Sequence, residues 1–229
     1  MRRFIELNHV IKNGTISYPG MPPVEISALY TREQCGATFG SDAASLLDFV
    51  KMVNISGTYI DSPYHKYESG YKISEIPMEK CFDLPTFVVD LTDSVDENGD
   101  PWFTKADLQK ALEGEDIKGS AVIMRSGHYK KFMTPEYEVK VPYLDPEGAT
   151  WMMEQGVYVC GIDTQLIDDF NDKTKGDVCH EIILSAGSVI AEDMTNLDEL
   201  PARGARLYVI APRIEMASFP ARVFAVVEE

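Results

Sequence analysis

The residues of this chain best suited to chemistry fall in two short stretches. The first is Ser56-Gly57-Thr58-Tyr59-Ile60-Asp61-Ser62-Pro63-Tyr64-His65, which brings hydroxyls, a carboxylate and an imidazole together around a glycine and a proline. Gly57 permits a backbone turn that other residues resist. Pro63 fixes its own φ and keeps Ser62 extended, so Asp61 and His65 are expected on stiff, irregular backbone. The second stretch is Cys179-His180-Glu181-Ile182-Ile183-Leu184, followed by Val189 to Leu197. There the small-residue turn Ser185-Ala186-Gly187-Ser188 separates His180 from Glu192, in a hairpin-like or a helix-turn-strand layout. An imidazole combined with carboxylates is a ligand set for Zn or Mn. Each stretch also has a plainer reading: an Asx-turn at Asp61 with a surface His65, and a solvated strand end at Glu192.

Other candidates carry less chemistry. His9 reads as a structural histidine near the first strand, and His128 sits at a strand-to-loop junction facing either a pocket or solvent. Tyr18 and Tyr64 are placed to wall an aromatic substrate site, although aromatics beside proline commonly just pack. Cys179 beside His180 suggests a nucleophile pair, but neighbours on a strand would face opposite sides.

These groups need a scaffold, and the chain reads as a mixed α/β fold around a central β-core, a single domain over residues 1–229. Strands are expected at Thr86 to Leu91, Ala121 to Met124, Val157 to Ile162, Ala205 to Ile210 and Val223 to Val227, all short, β-rich and bounded by Gly, Pro or Asp. Helices are expected at Lys105 to Glu113 with Thr104 as cap, at Pro146 to Gln155, and from Asp42 to Phe49. With 37 acidic and 21 basic side chains, the formal charge of −16 repels phosphate backbones and anionic lipid, which excludes nucleic acid and membrane surfaces as partners. The charge, including the Asp168-Asp169 cluster, reads mainly as a solubility feature. Four widely spaced cysteines favour buried free thiols. No signal-peptide h-region or membrane-length apolar run is found, so a cytoplasmic protein is expected.

The first stretch, counted from Ile55, resembles the HxGTHxDxPxH signature of the kynurenine formamidase and cyclase family of metal-dependent hydrolases. Gly57, Thr58, Asp61, Pro63 and His65 match it. His180 and Glu192 resemble the family's later ligand pair, with the same separation of twelve residues. Tyr18-Pro19-Gly20-Met21-Pro22 looks like its N-terminal aromatic-Pro-Gly turn, and Phe219 to Ala225 like its closing strand. The resemblance implies a swivelling β/β/α type of fold, a homodimer or higher homo-oligomer, and a small-molecule substrate.

The chain departs from that pattern at Ile55 and Tyr59, which stand where the family has two metal-binding histidines. By the resemblance, the ion those histidines serve is lost, while Asp61, His180 and Glu192 still hold one divalent metal ion, Zn or Mn. His65 matches the residue assigned to proton transfer, work that an imidazole titrating near neutrality suits. The leading expectation is a metal-dependent hydrolase of a small amide, N-formyl amide or lactone. The alternatives are a non-catalytic small-molecule-binding pseudoenzyme, and a rebuilt site in which Tyr59 is an acid or oxyanion donor.

Overall fold

A computed structural model describes residues 1–40, 44–91 and 94–228. Its strands among those residues are Arg2–Glu6 (β1), Glu25–Tyr30 (β2), Leu47–Lys51 (β3), Tyr59–Asp61 (β4), Leu84–Asp90 (β5), Trp102–Phe103 (β6), Ala121–Arg125 (β7), Tyr143–Leu144 (β8), Val159–Ile162 (β9), Val189–Glu192 (β10), Ala205–Ile210 (β11), Ser218–Pro220 (β12) and Arg222–Glu228 (β13). The α-helices are Arg32–Phe39 (α1), Lys105–Ala111 (α2), Pro146–Glu154 (α3) and Val178–Ser185 (α4).

Nine strands form one sheet in the order β1-β13-β11-β5-β7-β9-β10-β4-β12. The middle strands β5, β7, β9 and β10 are parallel, and the flanking pairs are antiparallel. Parallel strands covered on both faces must be apolar on both, and Ala121 through Met124 are fully buried. Side chains alternate between the faces. Ile123 joins a core with Val159, Ala191, Leu207 and Ala225, whereas Val122 and Met124 join Leu108, Met152, Ile183 and Leu184 from the helices. The first of these cores contains both Ile5 of β1 and Ile60 of β4, which lie near opposite ends of the strand order, so the sheet curls around it. This is the mixed α/β fold with a central β-core that the sequence suggests.

The capping predictions hold at residue level. Thr104 and Asp107 form a reciprocal capping box on α2, and Asp145 caps α3 with Pro146 in its first turn. Two readings are corrected. The helix expected from Asp42 to Phe49 is not formed: Ala44 to Leu46 have no regular structure and Leu47 to Phe49 belong to strand β3, paired with β2; Asp42 and Ala43 lie outside the described residues. The Asp168-Asp169 cluster is not a solubility feature, because both residues are buried and hydrogen-bonded. All four cysteines are buried and free. No helix among the described residues is long and apolar enough to cross a membrane.

Candidate metal centre

Asp61, His180 and Glu192 meet although they are far apart in sequence. Strand β4 runs beside β10, pairing Tyr59 with Glu192 and Ile190 with Asp61. The segment expected to be irregular therefore begins as a strand, and the backbone leaves the sheet only after Asp61, where Pro63–His65 form a 3-10 turn. Gly57 adopts a positive φ of 68°, as its place in the motif requires, and its N–H donates to Ser17 Oγ at 2.5 Å. Of the two layouts open for the second stretch, the structure adopts helix-turn-strand: α4 carries His180 and β10 ends on Glu192. Cys179 and His180 are thus neighbours on a helix, not a strand. The Cys179 thiol donates to the Leu144 carbonyl, and burial, with the charge of Asp168, pushes its pKa up.

The three side chains are almost wholly buried. His180 Nε2 lies 3.7 Å from Asp61 Oδ2 and 3.7 Å from Glu192 Oε1. They are the group of His, Cys, Asp and Glu side chains among the described residues whose ligand atoms converge, all within 4.8 Å of one another. Asp61 Oδ2 is buried with no hydrogen-bond partner, a costly state for a carboxylate oxygen unless something polar meets it. Burial alone would push the His180 imidazole towards neutrality. The charges of Glu192 and Asp61 and the hydrogen bond to Asp168 outweigh it and hold the pKa well above the ordinary histidine value. Burial likewise raises the Glu192 carboxyl, with Asp61 adding to the effect. An enclosed excess of carboxylates around one imidazole is a site that a divalent cation fits.

Each ligand is held by a further group. Asp168 accepts from His180 Nδ1 at 2.5 Å, so Nδ1 carries a proton and Nε2 faces Asp61 and Glu192. Asp168 also accepts from the backbone N–H groups of Cys179 and His180 at the start of α4. Glu192 Oε1 accepts from the Ile167 N–H at 2.5 Å, and Oε2 accepts from the Tyr59 hydroxyl. Ser218, opposite Asp61 on β12, donates to Asp61 Oδ1 and lies 3.0 Å from His65 Nδ1. Asp168 and Ser218 are the residues that sequence reasoning missed. In the sequence Asp168 reads as part of a solubilising acidic cluster, and Ser218 lies 153 positions from His65, with no motif around it.

The remaining candidates scatter. His65 stands at the rim, its side chain 33% exposed and its ring centroid 5.8 Å from that of His180. Tyr59 is buried, and burial, together with the charges of Glu192, Asp61 and Asp193, holds its pKa well above that of an ordinary phenol. Its hydroxyl donates to Glu192 Oε2. Tyr18 packs edge-on against Phe170, and its phenol is raised by burial and by the charges of Asp177 and Glu192. Tyr64 lies beneath Lys72 Nζ, 5.3 Å from its ring centroid, and makes no described contact with the three ligands. His128 is buried, with Nε2 2.9 Å from the Tyr137 carbonyl, so the surface role does not apply. His9 stacks on Phe132 and donates its backbone N–H to Thr58 Oγ1, as a structural histidine would.

A curled mixed sheet with a buried imidazole and carboxylate cluster at its edge defines a class of metal-centred α/β folds. The comparisons narrow it: the family model described as "Putative cyclase" matches residues 5–169, and the chain belongs to that family. The kynurenine formamidase of Bacillus anthracis is 24% identical over 172 residues, covering 75% of this chain and 73% of the relative. That of Bacillus cytotoxicus is 25% identical over 170 residues, covering 74% and 72%. Among solved structures, isatin hydrolase A from Labrenzia aggregata bound to benzyl benzoate superposes with a TM-score of 0.85 at 23% identity, covering 100% of this chain and 94% of the other. A potential metal-dependent hydrolase with cyclase activity gives 0.77 at 20%, covering both chains completely. These structures share the fold. His180 and Glu192 lie beyond the matched residues 5–169, so their place in the site rests on the geometry described above.

Proposed function

We propose that this protein is a metal-dependent hydrolase that cleaves a small cyclic amide, N-formyl amide or lactone with one divalent ion, Zn or Mn, held by Asp61, His180 and Glu192. The observation that carries this reading is the buried, unpartnered Asp61 Oδ2 facing His180 Nε2 beside Glu192 Oε1. The kynurenine formamidase relatives support the amide class, and nothing in the comparisons favours the binding-only alternative. Two carboxylates and one imidazole form a harder donor set than three imidazoles, which keeps Mn beside Zn.

When bound, the ion polarises the scissile carbonyl and makes water more acidic. The other work falls to side chains of this chain. Partial burial lowers the His65 pKa against the opposing pull of Asp61, so the imidazole is neutral near pH 7 and can accept a proton. At the rim of the centre, His65 takes the proton of the attacking water and returns it to the leaving amine or alcohol. Tyr59 keeps its proton on Glu192 and fixes that carboxylate, which gives it a different task from the acid or oxyanion donor of a rebuilt site. Tyr18 bounds the substrate space.

The β2–β3 arm, with Leu29, Tyr30, Leu47, Phe49 and Val50 all exposed, supports the homodimer or higher homo-oligomer expected from the resemblance. The four free, buried thiols suit a cytoplasmic setting.

Elemental analysis of the native protein beside Asp61→Ala and His180→Ala tests the reading, followed by assays with an N-formyl arylamide and with isatin. Stoichiometric Zn or Mn lost in both variants, with hydrolysis that requires it, is the expected result. A wild type that takes up neither metal after incubation with both overturns it.

A further inference from the structure

Ser218 forms a bridge whose proton bookkeeping has a definite outcome. Its side chain is fully buried, and the register of β12 against β4 sets it directly opposite Asp61. The backbone there is pinned, because the Ala217 carbonyl accepts from both the Ser62 N–H at 2.9 Å and the Ser62 hydroxyl at 2.8 Å. The Ser218 oxygen has two neighbours, Asp61 Oδ1 within hydrogen-bond reach and His65 Nδ1 at 3.0 Å. Asp61 Oδ1 is itself 3.8 Å from His65 Nδ1, too far for a direct hydrogen bond, so the hydroxyl is the link between them.

A serine hydroxyl has one proton to give and lone pairs to receive, whereas a carboxylate only receives. The Ser218 proton therefore goes to Asp61, and towards His65 the oxygen can only accept. Nδ1 must then carry the proton, which leaves Nε2 as the bare ring nitrogen. Of the two tautomers of a neutral imidazole, the one commonly favoured in water has its proton on Nε2, so this arrangement has to be enforced.

We propose that Ser218 is the positioning residue that fixes His65 in the Nδ1–H tautomer, so that Nε2 is the atom that accepts the proton during hydrolysis. The assignment deepens the hydrolase reading and rests on it for the catalytic role, but the tautomer itself can be observed without substrate or metal. Ser218 touches neither reacting atom; it acts through His65. It also ties the orientation of His65 to Asp61, so the proton acceptor and the metal-binding carboxylate keep a fixed relation.

The test is long-range proton–nitrogen NMR of the imidazole rings in ¹⁵N-labelled, metal-free protein, with His65 assigned by the signals lost in His65→Gln. The wild type is expected to show His65 protonated on Nδ1 and bare on Nε2. Ser218→Ala is expected to shift it towards the Nε2–H form, and Ser218→Thr, which keeps the hydroxyl, to restore the wild-type pattern. Where hydrolysis is measurable, Ser218→Ala should lower kcat about 10- to 100-fold with KM little changed, the range seen when a group supporting a first-contact residue is removed. A wild-type His65 protonated on Nε2 overturns the assignment, and that measurement does not depend on any variant folding. An unchanged tautomer in Ser218→Ala overturns it as well, and metal lost from that variant without a tautomer change assigns Ser218 to Asp61 alone. Metal uptake by the wild type is read separately, so failure of the hydrolase reading would leave the tautomer result standing.

Discussion

The α4–β10 side of the centre supplies an imidazole and a carboxylate, and each is clamped from behind by a dedicated group: His180 by Asp168, and Glu192 by the Ile167 amide and Tyr59. The β4 side supplies Asp61, but Ile55 and Tyr59 stand where the resemblance places two histidines, and the Tyr59 hydroxyl is already spent on Glu192. One side retains a complete ligand apparatus; the other has turned a ligand position into a support for the first. On the proposed reading, the loss of two ligand residues leaves one metal site in place. Here the substitution lets Tyr59 satisfy a buried carboxylate oxygen that would otherwise be exposed to its own desolvation cost.

The comparison breaks most severely if the three ligands are not a unit. Asp61→Ala or His180→Ala should abolish measurable metal binding and lower hydrolysis by at least about a thousandfold, a loss of several kcal/mol of transition-state stabilisation, read by metal titration and kinetics. Removal of the clamp should cost less. Asp168→Asn keeps the shape but weakens the hold on Nδ1–H, and should reduce metal affinity about 10- to 100-fold. Tyr59→Phe separates the two sides most sharply: Glu192 Oε2 loses its side-chain donor, so thermal unfolding should report a loss of about 1–3 kcal/mol. Hydrolysis in that variant should fall less than about tenfold, on the order of 1.4 kcal/mol. A near-total loss of turnover with metal retained would instead make Tyr59 a participant in the chemistry. The smallest effect on the ligand set is expected at the turn before β4. Gly57→Ala forces a positive φ on a residue with a Cβ and brings that atom to 2.7 Å from Ile11 Cγ1, so destabilisation of about 1–3 kcal/mol should appear in denaturant unfolding with the ligand set unchanged.

Much of this was legible in the amino-acid order, and the exceptions have physical causes. The β7 and β11 segments announced themselves because strands buried on both faces, or alternating, leave a local pattern. The α2 and α3 caps were readable because a cap is a contact between near neighbours. The Asp42–Phe49 segment was misread because its alanines and leucines favour a helix locally, whereas Leu47 to Lys51 are held by pairing with β2, some twenty residues earlier. At the centre, Asp61, His65, His180 and Glu192 were found by residue type and order. Asp168 and Ser218 were not, since the first looks like surface charge until α4 folds over it, and the second acquires its role only from the register of β12 on β4.

Asp168 also has a consequence for how the centre assembles. Its two oxygens receive the first amides of α4 and the imidazole of His180. Seating the helix and aiming the ligand are therefore a single event, and neither can be completed while the other is undone. A cation that binds the aimed imidazole must, by mass action, also hold the helix start closed, so slowed amide exchange at Cys179 and His180 would report metal occupancy from the backbone itself.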